Sequence, residues 1–221
     1  MSSTDFSLSK WYLDCLGEDG NTFIGYSTLL HWRPLTLHYT SVLNNDKKSG
    51  TYTETSLREN SLPRIDGSCI HWSSQSVDIE GTWQALSSPI QQELYRTSDG
   101  AINCVFLQPN AKVDVRSRKR DHLRGRGYVE RIEITMKPWQ LPIEELRWGR
   151  ILSEKDTIVW IDWRGPAQQT FLFHNGVRTT DCCNDFRFGD MVRSRRGFPG
   201  IEQTICQTGL GWNATLTLDC E

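Results

Sequence analysis

A carboxylate stands among apolar residues in the segment GRGYVERIEI, residues 125–134. Read with the two-residue period of a β-strand, this segment places Tyr128 and Glu130 on one face. Burying a charged carboxylate among apolar groups is costly unless it is paired or hydrogen-bonded. Two interpretations stay open: Glu130 is held protonated and donates a proton near neutral pH, or Arg147 or Arg150 compensates it and its role is structural.

Two further acids occupy similar positions in apolar runs. Asp162 in TIVWIDWRG shares a face with Ile158 and Trp160, and Asp14 in KWYLDCLG shares a face with Tyr12. Acids near the ends of three strands could ring one mouth of a barrel. Alternatively, each acid closes a turn by accepting hydrogen bonds from backbone N–H groups.

Histidines are the second kind of candidate for proton transfer. His31 and His38 flank WRPLTL, and His174 ends an apolar run before Asn-Gly. A metal site needs three or four convergent ligands, but the sequence contains no HxH, HExxH or CxxC, and the neighbouring Cys182 and Cys183 would point to opposite faces of a strand. We therefore predict no metal site, and we expect His38 to act through hydrogen bonding or proton transfer.

The composition is that of a globular protein. Hydrophobic residues make up 37% of the 221 residues and charged residues 24%, which excludes a disordered chain. A net charge of -2 provides no general attraction to nucleic acid or anionic membranes. Seven cysteines, an odd number, argue against a disulfide framework, and the opening MSSTDFSLSK lacks the pattern of a signal peptide. We expect a cytoplasmic protein with no membrane insertion and no nucleic-acid partner, and its oligomeric state stays open.

The elements that must position these residues are predicted to be strands. Short runs rich in Trp, Tyr, Thr, Val and Ile alternate with turns rich in Gly, Pro, Asn and Asp, from 10–16 to 211–220. Within this series, 101–107 and 111–116 are predicted as two separate strands. Many short strands at this spacing predict a barrel or a sandwich. We expect a single β-barrel domain over 1–221, with an internal division near 115–126 as the alternative.

The strongly basic stretch VRSRKRDHLRGR, residues 115–126, has two interpretations. Its charged residues from 116 to 126 form a solvated loop, or they receive an anionic group, such as a carboxylate or diphosphate, on an otherwise apolar ligand. A basic stripe beside aromatic strands is also typical of single-strand nucleic-acid binding, but the balanced overall charge argues against that.

Two segments carry a resemblance to a known family. KWYLDCLGEDGNTFIGYST resembles the W-[WY]-x-x…DG…G-[YF] opening of the carotenoid 1,2-hydratase superfamily, and GRGYVER followed by LRWGR resembles the G-x-G-Y-x-E…P…W signature shared with tocopherol cyclases. The resemblance implies a lipocalin-like antiparallel β-barrel with an apolar central cavity. It also implies hydration, cyclisation or isomerisation of isoprenoids or polyenes without a redox cofactor. The matching positions are Trp11, Tyr12, Asp14, Tyr26, Tyr128, Glu130 and Trp148.

Residues and resemblance together predict a cofactor-independent hydratase, cyclase or isomerase that binds a hydrophobic small molecule. An acid can protonate an alkene, and aromatic faces can stabilise the carbocation that forms. A non-catalytic carrier for a hydrophobic ligand is the alternative. The predicted catalytic residues are Glu130, Tyr128, Asp162 and His38, and the predicted ligand-binding residues are Tyr12, Asp14, Tyr26, Trp32, Trp148, Trp160 and His174. No cofactor and no metal are expected.

Overall fold

The computed structural model describes residues 5–47, 50–58, 61–152 and 156–179, together with the backbone of 203–208 and 214–216. Within these residues the regular structure is sixteen β-strands and a 3₁₀ turn at Pro138–Gln140. Every strand pair is antiparallel, which confirms the predicted all-β antiparallel class. No helix in the described ranges is long and apolar enough to cross a bilayer. The chain divides into two units, Met1–Leu141 and Pro142–Glu221.

The first unit is one antiparallel sheet of ten strands. Across the sheet the order is β4-β3-β2-β1-β10-β9-β7-β6-β5, and β8 pairs with β9 beside this path. The strands are β1 Phe6–Gly17, β2 Thr22–Trp32, β3 Leu35–Asp46, β4 Gly50–Ser56, β5 Arg64–Asp66, β6 Cys69–Ser74, β7 Ile79–Ala85, β8 Ile90–Thr97, β9 Gly100–Ser117 and β10 Arg120–Ile134.

The basic segment 115–126 forms the end of a hairpin. β9 runs to Ser117 and β10 begins at Arg120, so the two strands continue one ladder around the tight turn. The segment therefore lies inside the first unit, and the division of the chain falls after Leu141. The expectation of one barrel domain over 1–221 stays a prediction.

The sheet of the first unit curls, because strands far apart in its order meet on one face. The ring of Phe23 on β2 lies 6.3 Å from that of Trp72 on β6 and 6.2 Å from that of Trp83 on β7. The Trp83 indole N–H also donates to the backbone carbonyl of Asp14 on β1, at 2.8 Å. The concave face is filled by a packed core that includes Trp11, Leu13, Phe23, Trp72, Trp83, Val113, Val115 and Val129.

Trp83 offers a test of this packing. It is completely buried, so we expect Trp83→Ala to lower the free energy of unfolding by about 3–5 kcal/mol through lost contacts and a cavity. Leu86, just beyond β7, is 54% exposed, and Leu86→Ala should change the free energy by less than about 0.5 kcal/mol. Urea unfolding followed by circular dichroism measures both. Equal, small losses would contradict a core built on this indole.

The second unit is a six-stranded antiparallel sheet. Its strands are β11 Glu145–Leu152, β12 Thr157–Arg164, β13 Gln169–His174, β14 Val177–Arg178, β15 Gln203–Thr208 and β16 Ala214–Leu216. The order is β14-β13-β12-β11-β15-β16. All of β12 except Arg164 is buried, so this strand is covered on both faces. Cys182, Cys183 and parts of the predicted strands 177–182 and 211–220 lie outside the described residues.

Candidate functional site

The register of the central strands gathers five predicted site residues on one sheet face. In both of its ladders β1 keeps a regular antiparallel register, and residues directly opposite each other share a face. Tyr12 stands opposite Glu130 on β10 and opposite Tyr26 on β2. Two residues along β1, Asp14 stands opposite Tyr128. Asp14 lies within β1, three residues before the end of the strand.

Glu130 lies on the convex face of the curled sheet, yet it is buried. Its neighbour Val129 belongs to the packed core, so strand alternation directs Glu130 to the opposite side. Only 5% of Glu130 is exposed. The concave side is filled by Trp72 and Trp83, and the acid faces the other way.

The carboxylate of Glu130 has a close hydroxyl donor. The Tyr128 hydroxyl donates to Glu130 Oε2 at 2.6 Å, a length typical of a hydroxyl bonded to a carboxylate. The Cys104 thiol on β9 lies 4.0 Å from the same oxygen. Burial, and secondarily the charge of Glu130, raise the pKa of Cys104 well above its usual value. The Cys104 thiol is therefore protonated near neutral pH.

Two more tyrosine rings extend this cluster. The Tyr12 ring lies edge-on to Tyr26, with centroids 5.3 Å apart, and edge-on to Tyr128 at 6.0 Å. Burial raises the pKa of Tyr26, and the negative charges of Glu130 and Asp14 add to that effect. Tyr26 thus stays a neutral hydroxyl, and its electron-rich ring is part of a buried aromatic surface.

Lys10 belongs to this cluster, although it is absent from the site residues predicted from the sequence. Its ammonium lies 4.8 Å from the centroid of the Tyr26 ring. Burial lowers the pKa of Lys10, while the negative charge of Glu130 acts in the opposite direction. The signal was present in KWYLDCLG, because the two-residue period that joins Tyr12 to Asp14 also includes Lys10.

The structure does not bring His38 or Trp32 to Glu130. On β3, Tyr39 pairs with Thr28 and lies on the same sheet face as Tyr26. His38 is the next residue and pairs with Leu29, so its side chain lies on the opposite face, the one that carries the packed core. Trp32 shares the convex face with Tyr26 but lies six residues farther along β2, about 20 Å away. Its ring contacts the exposed Trp139, with centroids 5.6 Å apart.

In the second unit, Asp162 is held in a local ion pair. The Arg164 guanidinium donates to Asp162 Oδ2 at 2.7 Å, and the Thr170 hydroxyl donates to Oδ1 at 3.4 Å. Asp162 lies inside β12 and closes no turn. These contacts fit a structural carboxylate, and its catalytic assignment stays a prediction.

The other predicted residues of the second unit are spread over its sheet. Trp148 pairs with Ile161, so it lies on the face opposite to Trp160. His174 ends β13 and is half exposed, with its Nε2 2.7 Å from Asp156 Oδ1. Their roles in ligand binding stay predictions.

Ion pairs hold most of the charged side chains of the basic hairpin. Asp114 accepts hydrogen bonds from Arg116 at 3.1 Å and from Arg124 at 3.0 Å, and His122 lies 2.7 Å from the same carboxylate. Arg118 pairs with Asp78 at 2.8 Å. These arginines are exposed and paired, as the solvated interpretation expects, but they stand on the two strands and the tight turn of a hairpin rather than in a loop.

A small cavity lies beside this hairpin, between β3 and the ends of β9 and β10. Its volume is about 20 Å³, room for about one water molecule, and its polar lining includes Asn44, Asp78 and Arg120. Over the described ranges, no group of three or more His, Cys, Asp or Glu side chains is placed to hold a metal ion.

Comparison with known proteins gives structural neighbours. No family model matches the sequence, and no curated protein matches it. A candidate AttH from Nitrosomonas europaea superposes with a TM-score of 0.54 at 10% identity, over 80% of this chain and 69% of that chain. CghA superposes with a TM-score of 0.54 at 12% identity, over 80% of this chain and 60% of that chain. Kievitone hydratase from Nectria haematococca superposes with a TM-score of 0.50 at 8% identity, over 94% of this chain and 74% of that chain.

These neighbours establish the fold. At such low identity the likeness shows the architecture alone, and it confirms the predicted lipocalin-like all-β class. The chain spans 60% of the length of CghA.

Proposed function

We propose that this chain is a cofactor-independent enzyme that protonates a hydrophobic, isoprenoid- or polyene-like small molecule and so hydrates, cyclises or isomerises it. The observation that carries the proposal is the buried carboxyl of Glu130, which accepts the Tyr128 hydroxyl at 2.6 Å beside the rings of Tyr12 and Tyr26. The shared fold with a protein named as a hydratase supports it.

The chemistry needs one proton donor and a surface that tolerates a cation. A protonated Glu130 gives its proton to one carbon of a double bond, and the electron pair of that bond forms the new C–H bond. The carboxylate left behind keeps the hydrogen bond from Tyr128, and the faces of Tyr12 and Tyr26 stabilise the carbocation. Addition of water and loss of one of its protons gives hydration. Attack by a second double bond moves the positive charge to another carbon, and loss of a proton from that cation completes cyclisation. Loss of a different proton from the first cation gives isomerisation, and in each case the proton released returns Glu130 to its protonated form.

Solvent deuterium tests this step. We expect a compound to be extracted from the purified protein and identified by mass spectrometry. Incubated with fresh protein in deuterated water, this compound should yield a product with one deuterium on the carbon that Glu130 protonates. Heat-denatured protein is the control. Recovery of the compound unchanged and free of deuterium would contradict the enzymatic proposal.

That negative outcome would favour the carrier. One observation already points in its direction: Trp32, Leu35 and Leu37 expose apolar side chains on the convex face, as a ligand-binding surface would. A carrier would bind the compound tightly and release it unaltered, and Glu130 would then have a structural role.

A further inference from the structure

The row of residues that contains Glu130 is followed along the same face by further rows. Because the registers of β10, β1, β2 and β3 are regular here, each step of two residues defines a new row of four side chains. The first row is Glu130, Tyr12, Tyr26 and Ser41, and the second is Ile132, Lys10, Thr28 and Tyr39. The third is Ile134, Leu8, Leu30 and Leu37, and Trp32 paired with Leu35 follows.

The rows become less polar along the strands, from the row of Glu130 to the row of Trp32. The charged groups, Lys10 and Glu130, lie in the first two rows. The last two rows form an apolar strip made of Leu8, Leu30, Trp32, Leu35, Leu37 and Ile134. The charged Arg131 and Glu133 of β10 lie beside the strip, but alternation turns them to the other face.

Exposure rises in the same direction along β2 and β3, whereas Phe6, which pairs with Trp32 from β1, is buried. Glu130 and Tyr26 are buried, Lys10 and Leu30 are half-buried, and the far end is open to solvent. There Leu37 is 37% exposed, Trp32 41% and Leu35 49%. Three large apolar side chains that stay exposed next to one another are typical of a binding surface.

We infer that the strip binds the tail of an extended apolar chain whose reacting double bond lies at Glu130. The row of Glu130 and the row of Trp32 are about 20 Å apart, so the ligand is a linear molecule of that length rather than a compact one. The position of the reacting bond at Glu130 rests on the proposed function. The binding site of the tail rests on the apolar strip alone.

Alcohols that differ only in chain length test the inference. Geraniol, farnesol and geranylgeraniol add one isoprene unit at a time, and binding can be followed by quenching of tryptophan fluorescence. We expect the dissociation constant to fall by about tenfold or more for each added unit, because each unit covers more of the strip. Leu37→Asp should remove the gain for geranylgeraniol and leave geraniol binding unchanged.

Leu86→Asp is the matched control, because Leu86 is similarly exposed but lies off the strip. Affinity that does not change with chain length, or equal effects of Leu37→Asp and Leu86→Asp, would overturn the inference. If Leu37→Asp fails to fold, Leu35→Asp replaces it, with the same outcomes.

The result is separable from that for catalysis. Chain-length-dependent binding that Leu37→Asp abolishes, without any deuterium incorporation by the wild type, supports the strip and contradicts the proposed function. Deuterium incorporation without chain-length dependence contradicts the strip and supports the proposed function.

Discussion

Replacing Glu130 with glutamine is expected to slow turnover by about 10²- to 10⁴-fold, the usual contribution of a general acid. The amide of Glu130→Gln has the shape of the carboxyl group, and its oxygen can still accept the Tyr128 hydroxyl, so the buried hydrogen bond persists. The amide has no acidic proton to give to an alkene. The rate of deuterium incorporation measures the loss, and a melting temperature close to that of the wild type shows that the fold is intact.

Glu133 provides the control for this variant. It lies on the same strand, faces the other side of the sheet, and its carboxylate is 3.2 Å from the Arg131 guanidinium. Glu133→Gln should leave the rate unchanged. Equal losses for Glu130→Gln and Glu133→Gln would show that the effect is a general change in charge rather than the removal of a proton donor.

Tyr128 is expected to act as a positioning residue. Tyr128→Phe keeps the acid but removes the donor to Oε2, so the protonated form of Glu130 is favoured over the carboxylate. Because the carboxylate formed on proton transfer loses this hydrogen bond, we expect a lower limiting rate, and because the protonated form persists to higher pH, we expect the pH–rate profile to shift to higher pH. A merely structural tyrosine would lower stability without moving that profile.

The local sequence pattern predicts most strands of this fold, but it divides one long strand of the structure into two. The runs 101–107 and 111–116 are continuous in β9, which passes through Pro109. Register shifts in the pairing with β10 between Gly127 and Glu130 mark an irregularity there, and such irregularities admit a proline that cannot donate to the ladder. Sequence alternation alone cannot distinguish such a bulge from a turn.

The two-residue period also identifies which residues share a face, but not which face becomes concave. It places Tyr128 with Glu130, and the structure confirms that pairing. The direction of curl is decided by contacts between distant strands, such as Phe23 with Trp72. Because both faces of β1 carry a buried aromatic residue, Trp11 on one and Tyr12 on the other, the local sequence contains no signal for this choice.

The same limit separates the candidate site residues that the structure brings together from the one that it turns away. Tyr12, Asp14 and Tyr26 join Glu130 because the resemblance selected positions in strands that pair directly. His38 faces away because a shift of one residue along β3 reverses the direction of a side chain. Its register with β2 depends on the hairpin between the two strands, which the pattern of apolar residues did not define.

A Gly127→Ala chain is expected to lose more than about 4 kcal/mol of stability, or to fail to fold. A Cβ atom at this position would lie 2.1 Å from the backbone oxygen of Asp14 and 2.6 Å from a methyl group of Val113. The Asp14 oxygen is the acceptor of the buried Trp83 indole, so the backbone of β1 cannot shift without breaking that bond. Gly127 therefore links the packed core on one face to Asp14 and Tyr128 on the other.

Gly67 separates this effect from the ordinary cost of replacing glycine. It has a φ of +59° in a turn, and a Cβ atom added there would meet open space out to 4 Å, so Gly67→Ala should cost about 1–2 kcal/mol through backbone strain alone. Urea unfolding curves of both variants give the comparison. Because β1 carries Tyr12 and Asp14, a displaced β1 should also weaken geranylgeraniol binding by any Gly127→Ala protein that folds, whereas Gly67→Ala should bind normally. Similar stabilities and normal binding for both variants would mean that the close approach of β10 to β1 does not constrain this fold.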